Sequence, residues 1–298
     1  MGNLDNKFPG KDITQEDLKN KFPLCAKKNK NHKTKFKVAK VEFGGKIIPI
    51  MAGPNLAENR AFVLKTAKEL KKIKVHFMRA GAFKPLTFPY RSKKYFETRE
   101  NGVDWLFEAR NKYNLPIISE IMEEKFLDIF CDKIDILQIG SRNMQNFPLL
   151  TACAKTKKPI MLKRHYGSSI RDLLGAAEYI LNEGNSKVLL CERGVVAPHT
   201  HRATSRFLLD LQAVPALKEV THLPIIVDPS HATFWRKWVE PMALASVAAG
   251  ADGIMIEAHP NPSKAAVDPL QPINFNELRS LMNKMNKISK ILYKRKIL

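Results

Sequence analysis

Eight short apolar runs, each followed by a stretch of helical periodicity, constrain what this 298-residue chain can fold into. They lie at 47–51, 75–79, 116–119, 134–138, 159–163, 188–191, 224–227 and 253–257. Runs this short, apolar throughout, suit strands of a parallel sheet covered on both faces, with the intervening helices as crossovers. In ENRAFVLKTAKELKKI and SIRDLLGAAEYILNEG the apolar residues return every three or four positions, and Gly184 stands where a helix would stop. Eight such units close a (β/α)8 barrel, for which roughly 250 residues suffice. The expected fold class is α/β, a (β/α)8 TIM barrel over 36–287, with a basic N-terminal extension over 1–35 and a basic C-terminal tail over 288–298. Ahead of the first run, KFKVAKVEFGGKIIPI alternates apolar and polar residues around Gly44-Gly45, which predicts a β-hairpin capping the barrel floor.

The chain carries 50 Lys and Arg against 29 Asp and Glu, a net charge of +21 that would attract anions, nucleic acid or acidic surfaces. Much of the excess sits at 19–37 and 283–298, where Lys and Asn recur without the aromatic interleaving of a nucleic-acid module. These stretches read as solvated lysines, and specific nucleic-acid binding is not expected. Cys25, Cys131, Cys153 and Cys191 show no CxxC spacing, which argues against a disulfide framework or structural zinc. The N-terminus lacks an apolar signal core and no run approaches the ~20 apolar residues of a spanning helix, so the expectation is a cytoplasmic protein without membrane contact. Gly2 invites a myristoylation reading, but Asn6 replaces the Ser or Thr that motif needs.

In a barrel of this kind, chemistry gathers at the C-terminal ends of the strands. Those positions hold Asn55, Arg79 with Lys84, Glu120, Gln138 with Arg142, Lys163 with Arg164, Arg193, Asp228 with His231, and Glu257. Cations at buried strand ends are costly unless paired or neutralised by an anion. Their convergence from five strands predicts a phosphorylated, carboxylated substrate.

The segments RAGAFKPLTFPY (79–90), QIGSRNMQNFPLL (138–150), LLCERG (189–194), VDPSHAT (227–233) and MIEAHPNPSKAAVD (255–268) resemble the type I 3-deoxy-D-arabino-heptulosonate 7-phosphate (DAHP) synthases. The resemblance is nearest their β subgroup, which adjoins the 3-deoxy-D-manno-octulosonate 8-phosphate synthases, and runs unbroken over about 35–285. It implies condensation of phosphoenolpyruvate with a phosphorylated aldose, erythrose 4-phosphate in first place, with release of phosphate, as in aromatic amino acid biosynthesis by the shikimate pathway. By the same resemblance Arg79, Lys84, Arg142, Lys163, Arg193 and His231 match the phosphoenolpyruvate-binding set, with Arg142 and Arg193 on the phosphate and Lys84 and Lys163 near the carboxylate and reacting carbons. Guanidinium forks suit phosphate and point-charge lysines suit developing negative charge. His231 and Glu257 are the expected proton-transfer groups, Thr87 and Asp268 further substrate contacts, and a homodimer or tetramer the expected assembly.

The family's metal site uses a Cys after the first strand, the DPSH His, the MIE Glu and an Asp of the last loop. Here these are Asn55, His231, Glu257 and Asp268, an amide in place of the thiolate, which predicts at most a weakly held divalent ion and no required cofactor. Asn at this position is also the mark of the metal-independent octulosonate enzymes, so Asn55 is expected to hydrogen-bond the water or carbonyl. A second departure lies in the acceptor loop, where Lys84-Pro85-Leu86-Thr87 replaces Lys-Pro-Arg-Thr or Lys-Ala-Asn-Arg. Arg91, Arg99 or Arg202 would then supply the missing cation, and KRHYGSS in place of KRG puts His165 and Tyr166 at the barrel mouth. Two alternatives stand beside the main reading: the same chemistry on arabinose 5-phosphate or a specialised sugar, and a non-catalytic basic protein binding nucleic acid on a relic barrel. The leading residues are too few for the regulatory domains found in the β subgroup, so built-in feedback is not expected.

Overall fold

The computed structural model describes residues 14–83, 97–198 and 207–297. Eight parallel strands close into a barrel: β3 (Ile50–Gly53), β4 (Phe77–Arg79), β5 (Ile117–Glu120), β6 (Ile136–Ile139), β7 (Ile160–Lys163), β8 (Val188–Glu192), β9 (Ile225–Val227) and β10 (Gly253–Glu257), with β10 pairing β3. Each expected run holds one strand, displaced by up to three residues. The helices α2 (Arg60–Ile73), α3 (Arg99–Tyr113), α4 (Leu127–Lys133), α5 (Phe147–Lys155), α6 (Ile170–Asn182), α7 (Ala213–Val220), α9 (Arg236–Ala248) and α10 (Phe275–Tyr293) follow the strands, and a short α8 (Pro229–Thr233) sits directly on the end of β9. Local chemistry sets their limits: Asn59 accepts from Phe62 N at 2.9 Å, Ser169 and Asp172 form a capping box, as do Asn274 and Glu277, and Gly184 takes φ +73° just past α6.

Two apolar layers follow from the two-residue period of a strand. Outward residues such as Ile50, Met78, Leu137, Leu162 and Leu190 pack with Val63, Leu70, Leu106, Leu150, Leu174 and Leu281 of the helices. Inward residues Met51, Phe77, Ile118, Ile136, Met161, Leu189, Ile226 and Met255 fill the barrel.

The floor is closed by β1 (Phe36–Val38) and β2 (Val41–Phe43), whose Val38 and Phe43 join that inner layer, Phe43 lying 5.3 Å from the Phe77 ring. The expected hairpin is present, but its turn is Ala39-Lys40, with Val38 opposite Val41 and Ala39 at φ 51°. Gly44 comes after the second strand, at φ +73°, where a Cβ would stand 2.1 Å from Thr34 O. Close backbone approach, not a hairpin turn, explains that glycine.

Both basic ends are more than appendages. Helix α1 (Gln15–Asn20) opens on a Thr14–Asp17 capping box, Arg171 of α6 pairs with Asp17 at 2.8 Å, and Phe22 and Cys25 are buried in the core. The stretch read as a tail from 288 continues α10 to Tyr293, and Ser289 and Ile297 are buried. Arg295 meets Asp252 at 3.1 Å, and Lys296 forms a bridge with Ile47. Buried Ser289 and Ile297 together with these polar ties, and not an apolar face, hold this segment on the barrel, since Ile291, Leu292 and Tyr293 stay exposed. All four cysteines are free, and burial pushes Cys153 and Cys191 up to about 12.

Candidate active site

Two residues above the inner apolar layer, the same inward register becomes polar on seven strands: Arg79, Glu120, Gln138, Lys163, Arg193, Asp228 and Glu257 follow Phe77, Ile118, Ile136, Met161, Cys191, Ile226 and Met255. The barrel therefore ends in a charged rim above an apolar plug. On the remaining strand Gly53, at φ +151°, lets the chain pass within a Cβ's reach of Arg79 O, and Pro54 and Asn55 follow.

The β7–β9–β10 side is one connected network. Asp228 caps α8 by accepting from His231 N at 3.1 Å, accepts Lys163 Nζ at 2.6 Å, and lies 2.8 Å from His231 Nδ1. Burial pushes the Asp228 carboxyl up, but His231 and Lys163 outweigh it and hold it well below the usual carboxylate range. Burial, with Lys163 and Arg79 nearby, outweighs the pull of Asp228 on His231 and lowers the imidazole to about 3. His231 is thus neutral near pH 7, with Nε2 3.6 Å from Glu257 Oε2. The same Glu257 oxygen accepts from Gln271 Nε2 and lies 3.5 Å from Arg79 Nη1, which also donates to Pro54 O at 3.1 Å. Asn55 Nδ2 donates to Asp268 Oδ2 at 3.2 Å, joining the loop after β3 to the loop after β10.

On the β8 side, the Arg193 guanidinium lies 4.3 Å from the Phe207 ring centroid, and its Nη1 is buried without a hydrogen-bond partner among the described residues. Burial disfavours its charge; Asp228 counters this, and the nearby charge of Arg142 adds to the penalty. Tyr166 continues the aromatic wall, 5.1 Å from Phe207 and 4.1 Å from His165. Arg142 stands in the turn after β6, exposed.

Most of the expected set converges, with one correction. Arg164, grouped with Lys163 in the sequence, turns the other way by strand alternation and pairs with Glu192 at 2.9 Å and Asp210 at 2.8 Å. It is a structural ion-pair partner. Lys84, Leu86, Thr87, Arg91 and Arg202 lie outside the described residues. Arg99 packs 5.8 Å from the Phe83 and Phe126 ring centroids at the start of α3. Gln271 and Phe207 were not anticipated, since neither occupies a strand end; Gln271 follows Asp268 by three residues, a proximity that carried no signal by itself.

Three of the family's metal-ligand positions keep their residue types, His231, Glu257 and Asp268, and the fourth is Asn55. In place of a thiolate, Asn55 donates to Asp268, while Glu257 Oε2 accepts from Gln271 and faces Arg79. A neutral amide adds no charge and little affinity for a borderline-soft cation. Among the described residues no three His, Cys, Asp or Glu side chains form a metal-ligand group.

A profile of the "DAHP synthetase I family" matches residues 28–294, nearly the whole barrel with its hairpin. The chain belongs to that family. It is 40% identical over 252 residues to phospho-2-dehydro-3-deoxyheptonate aldolase of Thermotoga maritima, covering 85% of this chain and 73% of the relative. It is 26% identical over 272 residues to 2-dehydro-3-deoxyphosphooctonate aldolase of Syntrophotalea carbinolica, covering 86% and 96%. A crystal structure of the Thermotoga maritima DAHP synthase superposes with a TM-score of 0.85 at 37% identity, over 92% of this chain and 78% of that one. A truncated form of the same organism's 3-deoxy-D-arabino-heptulosonate 7-phosphate synthase gives 0.83 at 36%, over 93% and 100%. DAHP synthases are generally metal-dependent, which makes the amide at position 55 the chief departure of this family member. No helix among the described residues is long and apolar enough to cross a membrane.

Proposed function

We propose that this enzyme condenses phosphoenolpyruvate with erythrose 4-phosphate to give 3-deoxy-D-arabino-heptulosonate 7-phosphate and inorganic phosphate, a step of the shikimate pathway. The observation that carries the reading is Arg193: a buried guanidinium on Phe207, with Nη1 unpartnered among the described residues and the Arg142 charge nearby, is arranged for an anion. Phosphate between the two guanidiniums relieves both the desolvation of one and the repulsion between them. Lys163, fixed by Asp228, presents positive charge beside the reacting carbons, and Lys84 is assigned the same role from the family motif.

C3 of phosphoenolpyruvate attacks the aldehyde carbon, a water adds at C2, and the C2–O bond to phosphate breaks to leave the 2-keto product. His231, neutral and held between Asp228 and Glu257, is suited to orient that water, whose proton passes through the His231–Glu257 pair to the former aldehyde oxygen as it becomes the new hydroxyl. Preorganised charges around Arg79 and Lys163, together with Asn55, polarise the aldehyde without a tightly bound metal. Asp268 holds Asn55, and Thr87 is assigned to the acceptor.

Mass spectrometry of the products, with assay of released phosphate, after incubation with phosphoenolpyruvate and either erythrose 4-phosphate or arabinose 5-phosphate tests the proposal. The seven-carbon product is expected. An eight-carbon product alone would move the enzyme to the octulosonate chemistry, and no product with either sugar would remove the reading.

A further inference from the structure

Facing away from the rim, the chain builds a second concavity of about 570 Å³, within the size range of small-molecule sites. Its walls are the segment around 27–34, the end of α7, the residues that lead into β9 and β10, and Arg295. Pro224 and Asp252 line it, whereas Asp228 and Glu257 end the same strands at the rim, so a strand length of roughly 15 Å separates the two places. The walls are tied together before any ligand arrives: Lys27 N donates to Val220 O at 2.9 Å, Thr34 N to His222 O at 2.8 Å, and Ala26 bridges Thr221.

Five cations line this cleft, Lys27, Lys30, Lys33, Lys218 and Arg295, against two carboxylates, Glu219 and Asp252. Asp252 is already saturated, by Lys218 at 2.9 Å, Arg295 at 3.1 Å and the Ile225 N–H at 3.0 Å. Lys27 donates to the carbonyl of Lys218, a neutral acceptor. Among the described residues Lys30 and Lys33 have no ion-pair partner, while the Arg295 guanidinium is engaged by Ala251 O, Asp252 and Ile47 O. Burial first, and then the charges of Lys33 and Lys218, push the Lys27 ammonium down against the pull of Asp252 and Glu219. Beside them, the rings of His32 and His222 stack at 4.1 Å and give one wall a flat face.

We propose that this cleft binds a small phosphate-bearing polyanion, at a site separate from the one where the reaction takes place. Phosphate oxygens would supply the acceptors that Lys30 and Lys33 lack, with lysines acting as point charges that tolerate several ligand geometries. The same lysines that read in the sequence as solvated become a site because the fold bends them around one hollow.

Calorimetric titration of inorganic tripolyphosphate into the full chain tests this, with phosphoenolpyruvate present to cover the rim. One-to-one binding is expected, weakened about tenfold or more in the Lys30→Ala/Lys33→Ala double variant. Both lysines are exposed, so turnover and Tm without tripolyphosphate should not change. Lys65→Ala/Lys68→Ala, which removes two exposed charges on α2, should leave the affinity intact. Absence of binding, equal affinity in the chain and the cleft variant, or equal weakening in both variants would overturn the site, the last by assigning binding to the overall charge. Displacement by phosphoenolpyruvate would place tripolyphosphate at the rim instead. A changed sedimentation coefficient of the cleft variant would identify the cleft as a contact between subunits and would also overturn it.

Discussion

At the floor of the barrel the inward side chains are Met51, Phe77, Ile118, Ile136, Met161 and Met255, sealed by Val38 and Phe43; at the rim the same register carries Arg79, Glu120, Gln138, Lys163 and Glu257. Each floor residue is replaceable only by something of its own volume, because it is held by packing on all sides. The rim residues are held by one another, so a change in one redistributes charge over several. Stability and affinity are therefore separately addressable at the two ends, and mutations should show it.

The largest effect is expected from opening the floor. Phe43→Ala should cost about 3–5 kcal/mol of stability, by loss of a fully buried ring and the cavity it leaves, read by chemical denaturation. The KM for phosphoenolpyruvate should stay unchanged in the folded fraction; a raised KM would show that floor and rim are coupled.

Arg193→Ala makes the opposite cut. It should weaken phosphoenolpyruvate binding by about 1.5–3 kcal/mol, the scale of a hydrogen bond to a charged group, measured by calorimetry. Its Tm should stay level or rise, since a buried cation whose Nη1 has no partner among the described residues contributes little to folding. Unchanged affinity would remove Arg193 from the phosphate site.

A pH experiment sharpens the contrast from the floor side. His76 sits just below β4, its Nδ1 accepting from Ile50 N at 3.1 Å, and burial lowers its pKa to about 4. A folded pKa below the unfolded value of about 6.5 means that the unfolded chain takes up the proton first, so stability is present above pH 6.5 and falls as the pH drops toward 4. Between pH 7 and 5 the loss should be about 1–2 kcal/mol and should vanish in His76→Gln. A variant with the parent's pH profile would assign the acid sensitivity elsewhere.

The smallest effect is expected from chelation. With Asn55 bonded to Asp268 in place of a thiolate, exhaustive removal of divalent ions should change turnover by less than about twofold. Activity lost on chelation and restored by stoichiometric manganese or zinc would show that His231, Glu257 and Asp268 hold a working ion without the thiolate. Asn55→Cys alone should not create metal dependence while Gln271 and Arg79 occupy the Glu257 oxygen.

The chain determined its own strands, helices and charged rim by local means: a period of two inside each strand, a period near 3.6 after it, and polar residues where each strand ends. That sufficed to place Arg79, Lys163, Arg193, Asp228, His231 and Glu257 in one neighbourhood. Only the closed barrel decided their partners. Lys163 and Arg164 are adjacent and equally charged, yet one meets Asp228 inside and the other Glu192 and Asp210, because alternation points them to different environments. Asn55 reaches Asp268 across 213 residues because β10 closes on β3, and the basic stretch at 27–33 gains a concave surface because it lies against Lys218, Asp252 and Arg295. Such pairings depend on distances set by closure of the sheet, which no short window of residues contains.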